Sequence, residues 1–238
     1  MNCSDASAII VAGGRGERLG GDVRKQYLRL GGLSVLGRTL RIFASIKEIS
    51  EIVVVAPEGD VEFIEKDLIP AELGCLALGK TISVAAGGAT RQESARAGLA
   101  AIDPRSCVVL IHDAVRPFTQ KGHILQVIRK ARECGGAILA VPVRDTLKRC
   151  ENGCITGTTS REGLYAAQTP QAFDAAKLRH AHDLAAHQGL AVTDDAALFE
   201  GLGYEVAIVE GSALNIKITT EEDLALARAM LGIINEDS

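Results

Sequence analysis

The sequence predicts an α/β fold: a doubly wound, mainly parallel sheet covered by helices on both faces, with a protruding β-arm. Two observations predict the sheet and a third predicts the arm. Six short runs, Ala8 to Ala12, Ile52 to Ala56, Ile82 to Ala86, Val108 to His112, Ala137 to Val141 and Val206 to Val209, are almost continuously apolar, as strands buried on both faces must be. Amphipathic segments alternate with them, and strand–helix alternation implies parallel crossover units. From Pro142 to Tyr165 that rhythm stops, and two polar strand-like pieces flank Asn152-Gly153, a hairpin-turn dipeptide.

Each element has a local reason. Leu36, Leu40 and Phe43 share one helical face, as do Ile124, Ile128 and Ala131. Thr220 is a good N-cap, with Asp223 three residues on and Leu224, Leu226 and Met230 following, so the last helix starts there. Thr193, ahead of Asp194 and Asp195, suggests another capped start with acids placed to suit the helix dipole. A polar hairpin far from the sheet core is poorly stable alone. The arm at about 142–165 is therefore expected to pack on a second subunit, making the protein a homodimer. With no repeat, low-complexity tract or linker, residues 1–238 read as a single domain that includes this arm.

Composition excludes several function classes. The chain has 238 residues, 47% of them hydrophobic and 24% charged, which rules out wholesale disorder. A net charge of −4 argues against a general nucleic-acid or acidic-membrane binder, so any anion site must be a local cluster of cations. Aromatic residues make up only 3% and Trp is absent, leaving few platforms for stacking bases. Six scattered cysteines form no zinc pattern and read as reduced thiols. Met1 to Ser7 carries no targeting signal, and no apolar run nears the roughly 20 residues that cross a bilayer. A cytoplasmic protein without a membrane segment is expected.

The chemistry concentrates after the first strand, in Gly13-Gly14-Arg15-Gly16-Glu17-Arg18-Leu19-Gly20-Gly21 and then Arg24-Lys25. Glycines remove the Cβ atoms that would keep the backbone from phosphate oxygens, and successive N–H groups then form an anion nest. The carboxyl end of a first parallel strand is where open α/β sheets bind ligands. A P-loop would need Lys-Ser or Lys-Thr after its last glycine, and none is present. A dinucleotide fingerprint would need a glycine where Leu19 stands and an acid closing the second strand, which instead ends Ala56-Pro57. Four cations opposed by Glu17 and Asp22 suit a triphosphate under attack, whose growing negative charge needs fixed positive partners. The bland alternative is a solvated basic surface turn.

Further along lie Lys25-Gln26-Tyr27-Leu28, Gly87-Gly88-Ala89-Thr90-Arg91-Gln92-Glu93-Ser94, His112-Asp113-Ala114-Val115-Arg116-Pro117, Pro142 to Lys148, Gln168-Thr169-Pro170-Gln171, and Asn215-Ile216-Lys217-Ile218-Thr219. Taken in order from Ala8 to about Met230, these motifs resemble the 2-C-methyl-D-erythritol 4-phosphate cytidylyltransferases, within the nucleotidyltransferase superfamily. The resemblance implies a Rossmann-like nucleotidyltransferase fold and transfer of cytidylyl from CTP to methylerythritol phosphate in the non-mevalonate isoprenoid pathway. It implies that Arg18 and Lys25 stabilise the transition state and that Ala12, Gly13, Gly14, Gly16, Gly88, Ala89, Ser94 and Asp113 hold CTP. It places Arg116, Thr146, Arg161 and Lys217 on the substrate phosphate, with Thr146 and Arg161 reaching from the partner's arm. Mg²⁺ is the implied cofactor, carried mainly on the CTP phosphates, with Asp113 the nearest candidate ligand.

Two positions depart from the family pattern: Ala89, where relatives often carry an acid, and Leu214, where they often carry a polar residue. His112 also reads simply as a core histidine and Asp113 as a turn acid, although a strand-end acid favours a functional role. The nearest alternative is a ribitol 5-phosphate cytidylyltransferase, which lacks the Arg144-Asp145-Thr146-Leu147-Lys148 stretch present here. A non-catalytic nucleotide sensor would not need a second phosphate site. The end near Ser238 leads to the expectation of a monofunctional enzyme.

Overall fold

The computed structural model describes residues 6–13, 23–77 and 79–236. The chain runs through β1 (Ala6–Val11), the short ladder β2 (Arg29–Leu30) and β3 (Leu33–Ser34), α1 (Val35–Ala44) and β4 (Ile49–Ala56). A helical stretch follows, α2 (Val61–Phe63) and α3 (Ile69–Leu73), joined by a π turn at Ile64–Leu68. Then come β5 (Thr81–Ala86), α4 (Arg91–Ala101), β6 (Val108–Asp113), α5 (Lys121–Cys134) and β7 (Gly136–Pro142). The arm is β8 (Leu147–Glu151) and β9 (Cys154–Thr159), and the chain returns by β10 (Tyr165–Asp174). It finishes with α6 (Ala175–Gln188), α7 (Asp195–Gly201), β11 (Ala207–Glu210) and α8 (Glu221–Glu236).

One seven-stranded sheet has the order β11-β7-β10-β6-β1-β4-β5. All neighbours are parallel except β10, which runs antiparallel between β6 and β7. Alternation along the strands feeds two cores. Ile10, Val54 and Leu110 pack with Leu40, Phe43 and Ile128 on one face, while Ile9, Val53, Val55 and Ile111 pack with Leu99, Phe173 and Phe199 on the other. Double burial is why these strands read as continuous apolar runs.

The six expected strands all form, with edges shifted by a few residues; the second begins at Ile49 rather than Ile52. β10 is the strand that periodicity missed. Its centre, Gln168-Thr169-Pro170-Gln171, is polar, and its pairing with β7 shifts between Ala167 and Gln171, where Pro170 offers no N–H. The Asn152-Gly153 turn is as expected, both residues having positive φ (50° and 79°), as a tight hairpin demands. β8 and β9 pair only with each other.

Two expectations need correction. The helix near residue 194 is capped by Asp194, not Thr193: its carboxylate accepts the Ala197 N–H at 3.2 Å, and a carboxylate also matches the positive end of the dipole. The segment around Lys217 is irregular and tied down by the Ile218 N–H donating to the Val115 carbonyl at 2.9 Å. The six thiols are not all free: Cys107 is disulfide-bonded, whereas Cys75, Cys134, Cys150 and Cys154 are free. The last helix begins as expected, with the Asp223 N–H donating to Thr220 Oγ1 at 3.2 Å and the Asp223 carboxylate accepting the Thr220 N–H at 2.9 Å. Among the described residues no helix is long and apolar enough to cross a membrane.

Candidate active site

A cleft of about 560 Å³ opens at the carboxyl ends of β1, β4, β5 and β6, a size suited to a nucleotide. Ala12 and Gly13 leave β1, Pro57 and Glu58 leave β4, the Gly87–Ser94 segment leaves β5, and Asp113 closes β6. Arg24, Lys25, Gln26, Arg91 and Lys217 complete the lining.

Gln26 explains why Lys25 stands at this wall. It is 1% exposed, and its Nε2 donates to the Ala12 carbonyl at 2.9 Å, fastening the 25–27 turn to the end of β1. Arg24 pairs with Asp60, which also accepts the Tyr27 hydroxyl at 2.6 Å, so that turn is held from both sides.

The two glycine segments meet at Ser94. Its hydroxyl donates to the Thr90 carbonyl at 2.9 Å, and a Cβ on Gly87 would lie 2.8 Å from that oxygen, a clash no real side chain tolerates. Gly87 is therefore required for the backbone to pass this close to α4. Thr90 and Glu93 form a capping box: Thr90 Oγ1 accepts the Glu93 N–H at 3.1 Å, and Glu93 Oε2 accepts the N–H groups of Ala89 and Thr90 at 2.6 and 3.2 Å. Gly88 and Ala89 line the cleft, with the Ala89 amide engaged by Glu93.

Asp113 is the electrostatic centre. It is 6% exposed, and three cations reach it from three elements. Lys217 Nζ lies 3.0 Å and Arg116 Nε 3.2 Å from Oδ2, while Arg91 Nε lies 3.6 Å from Oδ1. Burial alone would raise its pKa, but Lys217, Arg91 and Arg116 outweigh that and hold the carboxyl well below the usual range. With Asp195 on the far side of Arg91, two negative charges meet three positive ones, and the floor stays net positive, suited to phosphate.

His112 resolves to the bland reading. Burial lowers its pKa to about 3, so the ring is neutral. Thr169 Oγ1 accepts the Asp113 N–H at 3.0 Å and donates to His112 Nδ1 at 2.9 Å, while His112 Nε2 faces the Arg116 carbonyl at 3.3 Å. Asn215 adds a second tie. Its carbonyl accepts Arg116 Nη1 at 2.7 Å and its Nδ2 donates to the Thr169 carbonyl at 2.9 Å.

The structure thus gathers Ala12, Gly13, Lys25, Gly88, Ala89, Ser94, Asp113 and Lys217 at one cleft, with Arg116 immediately behind it. Gly14, Gly16 and Arg18 lie outside the described residues. Thr146 and Arg161 flank the arm, both exposed and away from the cleft lining of their own chain; Arg161 donates to the Arg144 carbonyl. Arg91 and Glu58 are lining residues to which the sequence assigned no role, although the place of Arg91 just after Thr90 was a readable signal.

The family described as 2-C-methyl-D-erythritol 4-phosphate cytidylyltransferase matches residues 6–233. The chain belongs to that family. A cytidylyltransferase of this name from Geotalea uraniireducens is 42% identical over 233 residues, covering 97% of this chain and 98% of the relative. A relative from Desulforudis audaxviator named bifunctional enzyme IspD/IspF is 44% identical over 230 residues; the match covers 96% of this chain and 57% of that relative's length. Among solved structures, the 4-diphosphocytidyl-2C-methyl-D-erythritol synthase of Anaerococcus prevotii has a TM-score of 0.84 at 35% identity, covering 97% of each chain. A likeness over 97% of each chain agrees with the mainly parallel sheet described above.

Proposed function

We propose that the protein transfers the cytidylyl group of CTP to 2-C-methyl-D-erythritol 4-phosphate, giving 4-CDP-2-C-methyl-D-erythritol and diphosphate. The observation that carries this reading is family membership across residues 6–233 combined with Asp113 ringed by Arg91, Arg116 and Lys217 in a nucleotide-sized cleft. A phosphate oxygen of the substrate attacks the α-phosphorus of CTP. The new P–O bond forms as the bond to the bridging oxygen breaks, and diphosphate leaves with the electron pair. No base is needed, because the attacking phosphate is already anionic.

Lys25 at the cleft wall, with Arg18 from the loop outside the described residues, neutralises charge that grows on the triphosphate, each worth roughly a few kcal/mol. Lys217, about two-fifths exposed, leans into the cleft and takes the incoming phosphate with Arg116. Among the described residues no cluster of three His, Cys, Asp or Glu could hold a metal. The cleft offers the carboxylates of Asp113 and Glu58. With Asp113 already ringed by three cations, Mg²⁺ would be carried mainly on the CTP phosphates, where it would add charge neutralisation, with Asp113 the candidate carboxylate beside it. Thr146 and Arg161, remote from their own cleft, would serve the neighbouring protomer of a homodimer through the arm, in a cytoplasmic enzyme.

Incubating the purified protein with CTP, Mg²⁺ and either methylerythritol phosphate or ribitol 5-phosphate tests the reading. Diphosphate release with the first and little with the second is expected; the reverse preference, or none with either, overturns it.

A further inference from the structure

Behind the cleft lies a buried ion network that the proposed chemistry does not use. Asp195, at the first turn of α7, is 1% exposed, yet its carboxylate is doubly engaged. Oδ2 accepts Arg91 Nη1 at 2.8 Å and Oδ1 accepts His182 Nε2 at 3.0 Å. Its backbone is pinned too: the N–H groups of Asp195 and Ala196 both donate to Gln171 Oε1 at 3.2 Å, and Gln171 Nε2 donates to Asp194 Oδ2 at 2.8 Å. A fully enclosed carboxylate is costly to bury, and here it forms the far end of a line running Asp195–Arg91–Asp113.

The geometry divides Asp113 between two services. Arg116 and Lys217 approach Oδ2, the side assigned to the substrate phosphate, while Arg91 approaches Oδ1. When a phosphate arrives, Lys217 and Arg116 acquire a competing anion. Arg91 does not, because its other arm is anchored on Asp195.

We propose that Asp195 is a positioning residue for the nucleotide site: it fixes Arg91, and Arg91 holds the Asp113 carboxylate in its nucleotide-facing orientation while Lys217 and Arg116 engage the second substrate. Asp195 lies outside the cleft lining whereas Arg91 is part of it, so the effect of Asp195 reaches the cleft through Arg91. The inference rests on the cytidylyltransferase reading of the cleft.

Asp195→Asn keeps the size and one acceptor but removes the charge that anchors Arg91. Gln92→Ala is the control for general bracing. Gln92 clamps the same start of α4 to the 190–192 segment, through the Leu190 carbonyl at 3.0 Å and the Val192 N–H at 3.1 Å, without touching Asp195 or Asp113. Steady-state kinetics with CTP and methylerythritol phosphate, and calorimetric binding of CTP with Mg²⁺, are measured for wild type, Asp195→Asn, Arg91→Ala, the double variant and Gln92→Ala. Asp195→Asn should lower kcat/KM for CTP and CTP affinity roughly tenfold, with KM for methylerythritol phosphate within about twofold. The double variant should be no worse than Arg91→Ala, since partners in one network do not add. Additive losses, an unaffected Asp195→Asn, or an equal loss in Gln92→Ala would overturn the inference. If Asp195→Asn fails to fold, a CTP affinity unchanged in Arg91→Ala overturns it instead. An inactive wild type that still binds CTP overturns the transferase reading but leaves the binding comparison intact.

Discussion

The cleft floor and the arm differ in how their charged side chains are employed. At the floor, Asp113, Arg91, Arg116 and Lys217 satisfy one another, and their backbones are tied by Thr169 and Asn215. On the arm, Thr146 and Arg161 are exposed, and Ile155 and Tyr165 leave 67% and 48% of their surface exposed. One region is complete in a single protomer. The other leaves polar and apolar side chains exposed, which is the observation that supports the homodimer proposal.

The largest expected effect falls on the complete region. Lys25→Ala should reduce kcat by roughly 10²–10³-fold, the usual cost of losing one fixed transition-state partner. Diphosphate release measures it, and near-normal turnover would remove Lys25 from the chemistry. Next comes the arm. Arg161→Ala should cost about 10²-fold through misplacement of the nucleophile. Mixing it with Lys25→Ala subunits should restore part of the activity, because one site of each heterodimer then has both residues. No recovery after verified subunit exchange would make the arm act in cis.

A third test concerns pH. The unfolded His112 takes its proton near pH 6.5 and the folded one only near 3, so between them the unfolded state holds more protons. Stability should fall as pH drops through that window, with a slope of up to about 1.4 kcal/mol per unit. The depressed carboxyls, Asp113, Asp195 and Asp223 from 3.8 and Glu222 from 4.5, add their losses toward the acid end of that window, so its upper end belongs to His112. Denaturant titrations from pH 7 to 4 should show the slope in wild type and a shallower one in His112→Gln. Equal slopes would assign it elsewhere. The smallest effect should come from Gly153→Ala. Alanine at φ 79° costs about 1–2 kcal/mol locally. Activity should decline while the thermal midpoint of the core barely moves; a large drop in that midpoint would mean the arm supports the fold.

Much of this was legible in the sequence because burial on both faces writes itself as apolar runs, and because Gly87 and Asp113 sit at strand ends. β10 was not legible, since Gln168, Thr169 and Gln171 are buried polar residues whose partners lie far away in sequence. The same applies to Arg91: its Thr90 cap was readable, but its two aspartate partners lie 22 and 104 positions along the chain. Hydrogen-bonded interiors leave no periodicity to read.

β10 carries one more consequence. It leaves the arm at Tyr165, runs beside β7, passes Thr169 under the Asp113 amide, and ends wedged between β6 and β7 at Asp174. From Tyr165 to Ala167 it pairs with β7 alone, and only from Gln171 on is it paired on both sides, so its far end is an anchor whose sliding would break two ladders at once. A pull on the arm would therefore reach Thr169, beneath the Asp113 amide, before it met that anchor.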